Sequence, residues 1–172
     1  MPSSAPPNDE DPAPADVPVV SYDPDTFARR LAPLMRDREG RTGTRLVFYG
    51  GVREQRQQAL ATLTRYATGN VHQFRGPSLL NPQRIQTQNS LRKAFDHAAE
   101  ENALLYFDRA DPIFTHSHDD TPDAPSENAV PSTLEYFFDR IGAYDGVVVL
   151  GLQRTRHVEW ARERVHLVVR FE

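Results

Sequence analysis

Ala103-Leu-Leu-Tyr-Phe-Asp108 runs through five residues with large or small apolar side chains and ends on an acid. A run this short, apolar on both faces, reads as a strand buried on both sides. Working outward, the same signature recurs in Thr44-Arg-Leu-Val-Phe-Tyr49, which stops at Gly50-Gly51, in Gly146–Leu152 and in His166–Phe171. Val71–Phe74 is a weaker version. Between these runs the apolar residues recur at helical spacing. Examples are Ala59, Leu60, Leu63 and Ala67; Leu91, Ala94, Phe95 and Ala98; and Leu134, Phe137, Phe138 and Ile141. Buried strands alternating with helices call for a parallel sheet covered on both faces. The expected fold is an α/β three-layer sandwich with a central, mostly parallel sheet of about five strands.

Upstream, Asp23-Pro24 has the form of an N-cap followed by proline in the first helical turn, with Phe27, Leu31, Leu34 and Met35 on one face. Pro33 is expected to kink or shorten that helix. Before it the composition changes. Residues 1–25 hold six acids, no base and seven of the 14 prolines, which leaves 18 acids against 20 bases in the rest. Such a segment has too little apolar surface to offset its chain entropy. The expected division is a disordered acidic, Pro-rich arm over 1–22 and one α/β domain over 23–172.

The near-neutral body has no strong footprint for nucleic acid or an anionic membrane, so neither is expected as a partner. The absence of cysteine excludes disulfides, thiolate metal sites and cysteine nucleophiles. No apolar run approaches the length of a membrane span, and the start lacks a signal-peptide pattern, so a cytoplasmic protein is expected. His116-Ser-His118-Asp119-Asp120 has metal-like spacing but reads as a solvated polar loop within Thr115–Asn128, and no metal site is assigned to it. No G-x-S-x-G elbow supports a hydrolase triad. One lysine, Lys93, serves the whole chain.

In a parallel sheet, ligands bind outside the carboxyl ends of the strands. Those ends offer Gly50-Gly51, Asp108-Arg109 and Gln153. Taken with Leu46–Gly50, Leu91–Asp96, Leu104–Phe114, Tyr144–Leu150 and Arg164–Phe171, in that order, the chain resembles the AAA+ ATPase core of the P-loop NTPase superfamily over roughly residues 45–171. The nearest flavour is the AAA+ proteins that accompany contractile injection systems. The family's helical lid would follow the last strand, and the sequence carries no residues for it.

The departures from that family are informative. Its phosphate-binding turn is GxxxxGK[ST], in which lysine reaches the β- and γ-phosphates and the hydroxyl binds Mg²⁺. Gly50 is retained, but the family's central glycine aligns with Arg53, its second glycine with Gln55, its lysine with Arg56 and its hydroxyl residue with Gln57. Asp108 matches the Mg²⁺-holding acid, whereas the base position is Arg109, which cannot lose a proton. The sensor asparagine aligns with Gln153, and the arginine finger with Arg164 or Arg162. Lys93 stands in a different helix from the turn.

Hydrogen bonds to charged groups contribute roughly 1.5–3 kcal/mol each, so losing four removes about 6–12 kcal/mol, against about −8 kcal/mol for a micromolar ligand. The resemblance with its departures implies an AAA+-like pseudo-ATPase with no cofactor, acting as a protein interaction or assembly module. Its partner would be an AAA+ homologue or an injection-system component, met through Arg162 and Arg164. The alternative is an ATP-binding AAA+ protein that senses ATP or turns it over slowly, with ATP and Mg²⁺ bound at Gly50, Gly51, Arg53, Arg56, Gln57, Asp108, Arg109 and Gln153. At that remnant pocket, Arg53, Arg56 and Arg109 are expected to pair with Asp108 and Asp111, since unpaired charges clustered there would be costly.

Overall fold

The computed structural model describes residues 17–36, 43–66, 69–118 and 132–172. Six strands form one sheet: β1 (Val19–Ser21), β2 (Thr44–Gly50), β3 (Val71–Arg75), β4 (Leu104–Asp108), β5 (Val147–Leu152) and β6 (Leu167–Phe171). Seven helices connect them: α1 (Pro24–Arg36), α2 (Arg53–Tyr66), α3 (Gly76–Leu79), α4 (Arg84–Glu100), α5 (Asp111–His118), α6 (Thr133–Ala143) and α7 (Thr155–Arg162). The strand order is β1-β6-β2-β5-β4-β3, and every pairing is parallel.

Right-handed crossovers place the layers. The connections β1→β2 and β2→β3 step one way across the sheet, and the later ones step back. A right-handed parallel connection therefore puts α1 and α2 on one face and α4 to α7 on the other. The two cores match that division. Leu46, Phe48, Leu104, Tyr106, Val147 and Val149 pack with Phe27, Leu31, Leu60 and Leu63. Val47, Leu105, Phe107, Val148 and Leu150 pack with Leu91, Phe95, Phe137 and Val158. Alternate residues of each inner strand enter opposite cores, which is why these strands are apolar throughout. The three-layer α/β architecture is as expected.

Three local departures have physical causes. Val19–Ser21 lies within the segment expected to be a disordered arm, yet it pairs with Val168–Arg170 of β6 and adds the sixth strand. Val20 is buried, and Tyr22 lies 4.7 Å from the Phe171 ring, so this edge has apolar surface after all. The arm–body boundary at 22 thus falls too late, while residues 1–16 lie outside the described residues. Helix α1 does start at the Asp23 cap, whose Oδ2 accepts from Thr26 N at 3.3 Å, and it continues three residues beyond Pro33 to Arg36. Thr115–His118, read as loop, belongs to α5; Asp119, Asp120 and the side chains of 116–118 lie outside the described residues.

Helix α6 opens with a reciprocal cap. Ser132 Oγ accepts from Glu135 N at 3.2 Å while Ser132 N donates to Glu135 Oε2 at 3.4 Å. Among the described residues, no helix is long and apolar enough to cross a membrane.

Candidate functional site

The carboxyl ends of β2, β4 and β5 converge on one edge of the sheet. There the chain leaves β2 through Gly50 and Gly51, both with φ of 73°. Left-handed backbone of this kind is the province of glycine. Space requires it too, because a Cβ on Gly51 would stand 2.2 Å from Phe171 Cβ. The turn then enters α2 at Arg53.

Two carbonyls and one amide of this turn are bonded by its own side chains. Arg56 Nη1 donates to the carbonyl oxygens of Gly50 and Gly51, at 2.9 Å each. Gln55 Oε1 accepts from Val52 N at 3.4 Å. A phosphate cradle works the other way, with backbone N–H groups and a cation both directed at the anion. Here the cation is held by backbone carbonyls, and Gln55 occupies one of the amides. Arg53 is exposed, and Gln57 is half-buried on α2.

Next to this turn stands Tyr106, a residue missed by the sequence reading. It is only 1% exposed, and its hydroxyl donates to Asp108 Oδ1 at 3.3 Å. The hydroxyl lies against β5, where a Cβ on Gly151 would come within 3.2 Å of it. Burial pushes the Tyr106 phenol up to about 12, the Asp108 carboxylate adds to that rise, and the nearby Arg56 guanidinium opposes it. Tyr106 therefore sits between the glycine turn and the acid at the end of β4. The signal was available: a polar hydroxyl inside an apolar strand, two residues before an acid on the same face.

Arg109 has φ of 51° and an exposed side chain. Its carbonyl closes against Gly76, where a Cβ would lie 2.1 Å from that oxygen. The backbone here turns sharply into α5, and this brings Asp111 to the start of α7. Asp111 Oδ2 accepts from Gln153 N at 2.9 Å, and its Oδ1 accepts from Arg154 N at 3.0 Å. The same Oδ1 lies 2.7 Å from His157 Nδ1.

The His157 ring stacks on Phe114 at 5.0 Å and contacts Trp160 at 5.7 Å. The Asp111–His157 contact joins the start of α5 to α7. A cleft of about 480 Å³ beside it is lined by Gln153, Arg154, His157 and Trp160 among others.

The expected ion pairs do not form. Among the described residues, Arg53, Arg56 and Arg109 make none with Asp108 or Asp111. Asp111 is committed to two backbone amides and His157, Asp108 to Tyr106, and Arg56 to the turn. Exposed Arg53 and Arg109 are left in water, where an unpaired charge costs little.

Of the two finger candidates, Arg162 approaches Glu159 at 3.8 Å, and the Arg164 guanidinium lies 5.0 Å from the centre of the Phe138 ring. The structure thus joins Gly50, Gly51, Arg56 and Asp108 through Tyr106. It leaves Arg53 and Arg109 exposed, ties Gln153 through its backbone N–H to Asp111, and holds Arg162 and Arg164 beside α6 and α7. A larger cavity of about 610 Å³ opens at the opposite end, near Tyr66, Phe95, Arg140 and Tyr144.

The turn directs two carbonyls at a guanidinium, Gln55 covers one amide, and the exposed Arg109 directly follows Asp108. Neither a scan of known protein-family models nor a search of curated protein sequences finds a match to this chain.

Proposed function

We propose that the chain is an AAA+-like pseudo-ATPase core, with ATP hydrolysis lost, that works as a protein interaction or assembly module. One observation carries the reading: Arg56 is held by the Gly50 and Gly51 carbonyls at 2.9 Å. An arginine with those hydrogen bonds already made has little to gain by turning to a phosphate. Supporting it, β2 lies between β6 and β5, with the glycine turn, Asp108 and Gln153 all on the carboxyl edge where a parallel sheet binds ligands.

On this reading the protein acts in the cytoplasm. Its partner is another protein, an AAA+ homologue or an injection-system component, and the surface around Arg162 and Arg164 is where the two meet. The test is co-precipitation of the full chain from its native host, compared with the Arg162→Ala, Arg164→Ala double variant. A defined protein held by the wild type and lost with the variant is expected. Equal recovery by both would remove this surface from the proposal. A second arm is Arg109→Glu, which restores an acid at the base position. No ATP turnover is expected from it, because the turn itself is closed; measurable turnover would overturn the reading.

A further inference from the structure

We propose that His72, His97 and Glu101 form a site for one divalent transition-metal ion of the zinc class, with a coordination position left open to water. The site lies at the amino end of the edge strand β3 and the carboxyl end of α4, across the sheet from the glycine turn. It stands or falls independently of the proposed function.

His97 and Glu101 are four residues apart, so helical geometry sets them on one face at the end of α4. His72 faces them from β3. His72 Nε2 lies 2.6 Å from Glu101 Oε2, and His97 Nε2 lies 3.8 Å from Glu101 Oε1. The three ligand atoms all fall within 4.8 Å of one another. Zinc bonded to nitrogen and oxygen at about 2.0–2.2 Å in tetrahedral geometry separates its ligands by about 3.4 Å. His72 and His97 now approach different oxygens of Glu101, and bringing one atom of each residue to that spacing takes shifts of up to about 1.4 Å.

The freedom is where it is needed. His97 and Glu101 side chains are 62% and 48% exposed, whereas His72, at 14%, is a fixed anchor. A hydrogen-bonded His72–Glu101 pair would by itself explain the short contact. The four-residue spacing adds a second imidazole, with its ring centre 4.9 Å from the first, at the other oxygen of the same carboxylate, so three ligand-type side chains converge.

The surroundings suit a cation. The last carbonyls of α4 put partial negative charge at this end of the helix. Asn70 Nδ2 donates to the Glu101 carbonyl at 3.4 Å and steadies the backbone that carries the ligand. Two imidazoles with one carboxylate select zinc, cobalt, nickel or copper over magnesium and calcium, which require oxygen donors. Three protein ligands leave the fourth position to water. Bound metal would clamp β3 to α4.

Calorimetric titration with zinc chloride tests this near neutral pH, where imidazole is free to bind. The protein used is the full chain carrying His116→Ala and His118→Ala, which removes the other closely spaced histidines. One equivalent of zinc and a raised thermal midpoint are expected, together with the visible absorption of four-coordinate cobalt when cobalt replaces zinc. Adding His97→Ala or Glu101→Gln should weaken zinc binding by at least about tenfold. Both are largely exposed side chains, and an unchanged circular dichroism spectrum will show that the fold persists. No saturable binding, or binding indifferent to both substitutions, overturns the proposal.

Discussion

Tyr106 shows how one side chain can hold the state of a whole site edge. Its phenol is pushed up to about 12 by burial first and Asp108 second, with Arg56 opposing. A group whose folded value lies above its unfolded value of 10.0 contributes stability that is complete below the unfolded value. That stability is lost as pH rises from 10.0 towards about 12. The amount at stake is roughly 2–3 kcal/mol. Tyr22 and Tyr144 are also raised by burial, so the informative quantity is a difference between variants. Urea midpoints for the wild type should fall more steeply with alkaline pH than those of Tyr106→Phe. Parallel curves would show that the Tyr106 hydroxyl is not held as described. Arg56 folds back onto carbonyls 5 and 6 residues earlier, a contact that its place in the sequence does not disclose.

At the scale of elements, Asp111 is the residue on which two helices depend. It accepts from Gln153 N and Arg154 N and contacts His157, so Asp111→Ala removes three hydrogen bonds at once. A loss of about 2–4 kcal/mol in urea unfolding is expected, because two backbone amides lose their partner. A loss within experimental scatter would mean that water replaces the carboxylate fully.

Strand β1 covers the outer edge of β6. Val168 N donates to Pro18 O at 3.0 Å, and Tyr22 N donates to Arg170 O at 2.7 Å. Deleting residues 1–21 should lower the thermal midpoint and, by baring the β6 edge, raise the fraction of oligomer seen by size-exclusion chromatography. A truncated chain as stable and as monomeric as the full one would mean that β1 adds nothing.

The inner strands were legible because β2, β4, β5 and β6 feed both cores and so are apolar at nearly every position. Strand β1 was not, being three residues long in a Pro-rich context, with one buried side chain in the pattern exposed–buried–exposed. Helix α7 escaped because its buried face is only His157, Val158 and Ala161. The role of Asp111 was equally hidden, since its partners lie 42, 43 and 46 residues along the chain. Such pairings come from topology, and no local pattern encodes them.

For the whole molecule, the two ends of the sheet carry different chemistry. The carboxyl edge holds the glycine turn closed by Arg56, with Asp108 committed to Tyr106. The opposite end holds the His72–His97–Glu101 cluster. The candidate positions at the carboxyl edge were legible from the order of strands and turns, because a parallel sheet gathers its strand ends there. Their individual contacts were not, and the expected arginine–aspartate pairing failed for that reason. At the carboxyl edge, Arg56, Gln55 and Tyr106 thus make hydrogen bonds to groups of the chain itself.

The proposed function requires that the turn from Gly50 to Gln57 takes no nucleotide. Titrating millimolar ATP with Mg²⁺ into the full chain while following its thermal midpoint tests this directly. A ligand at 100 times its Kd would stabilise the native state by about 2.7 kcal/mol. The account predicts no shift beyond that caused by an equal concentration of inorganic phosphate with Mg²⁺. A saturable rise specific to ATP, abolished by Arg56→Ala, would contradict it.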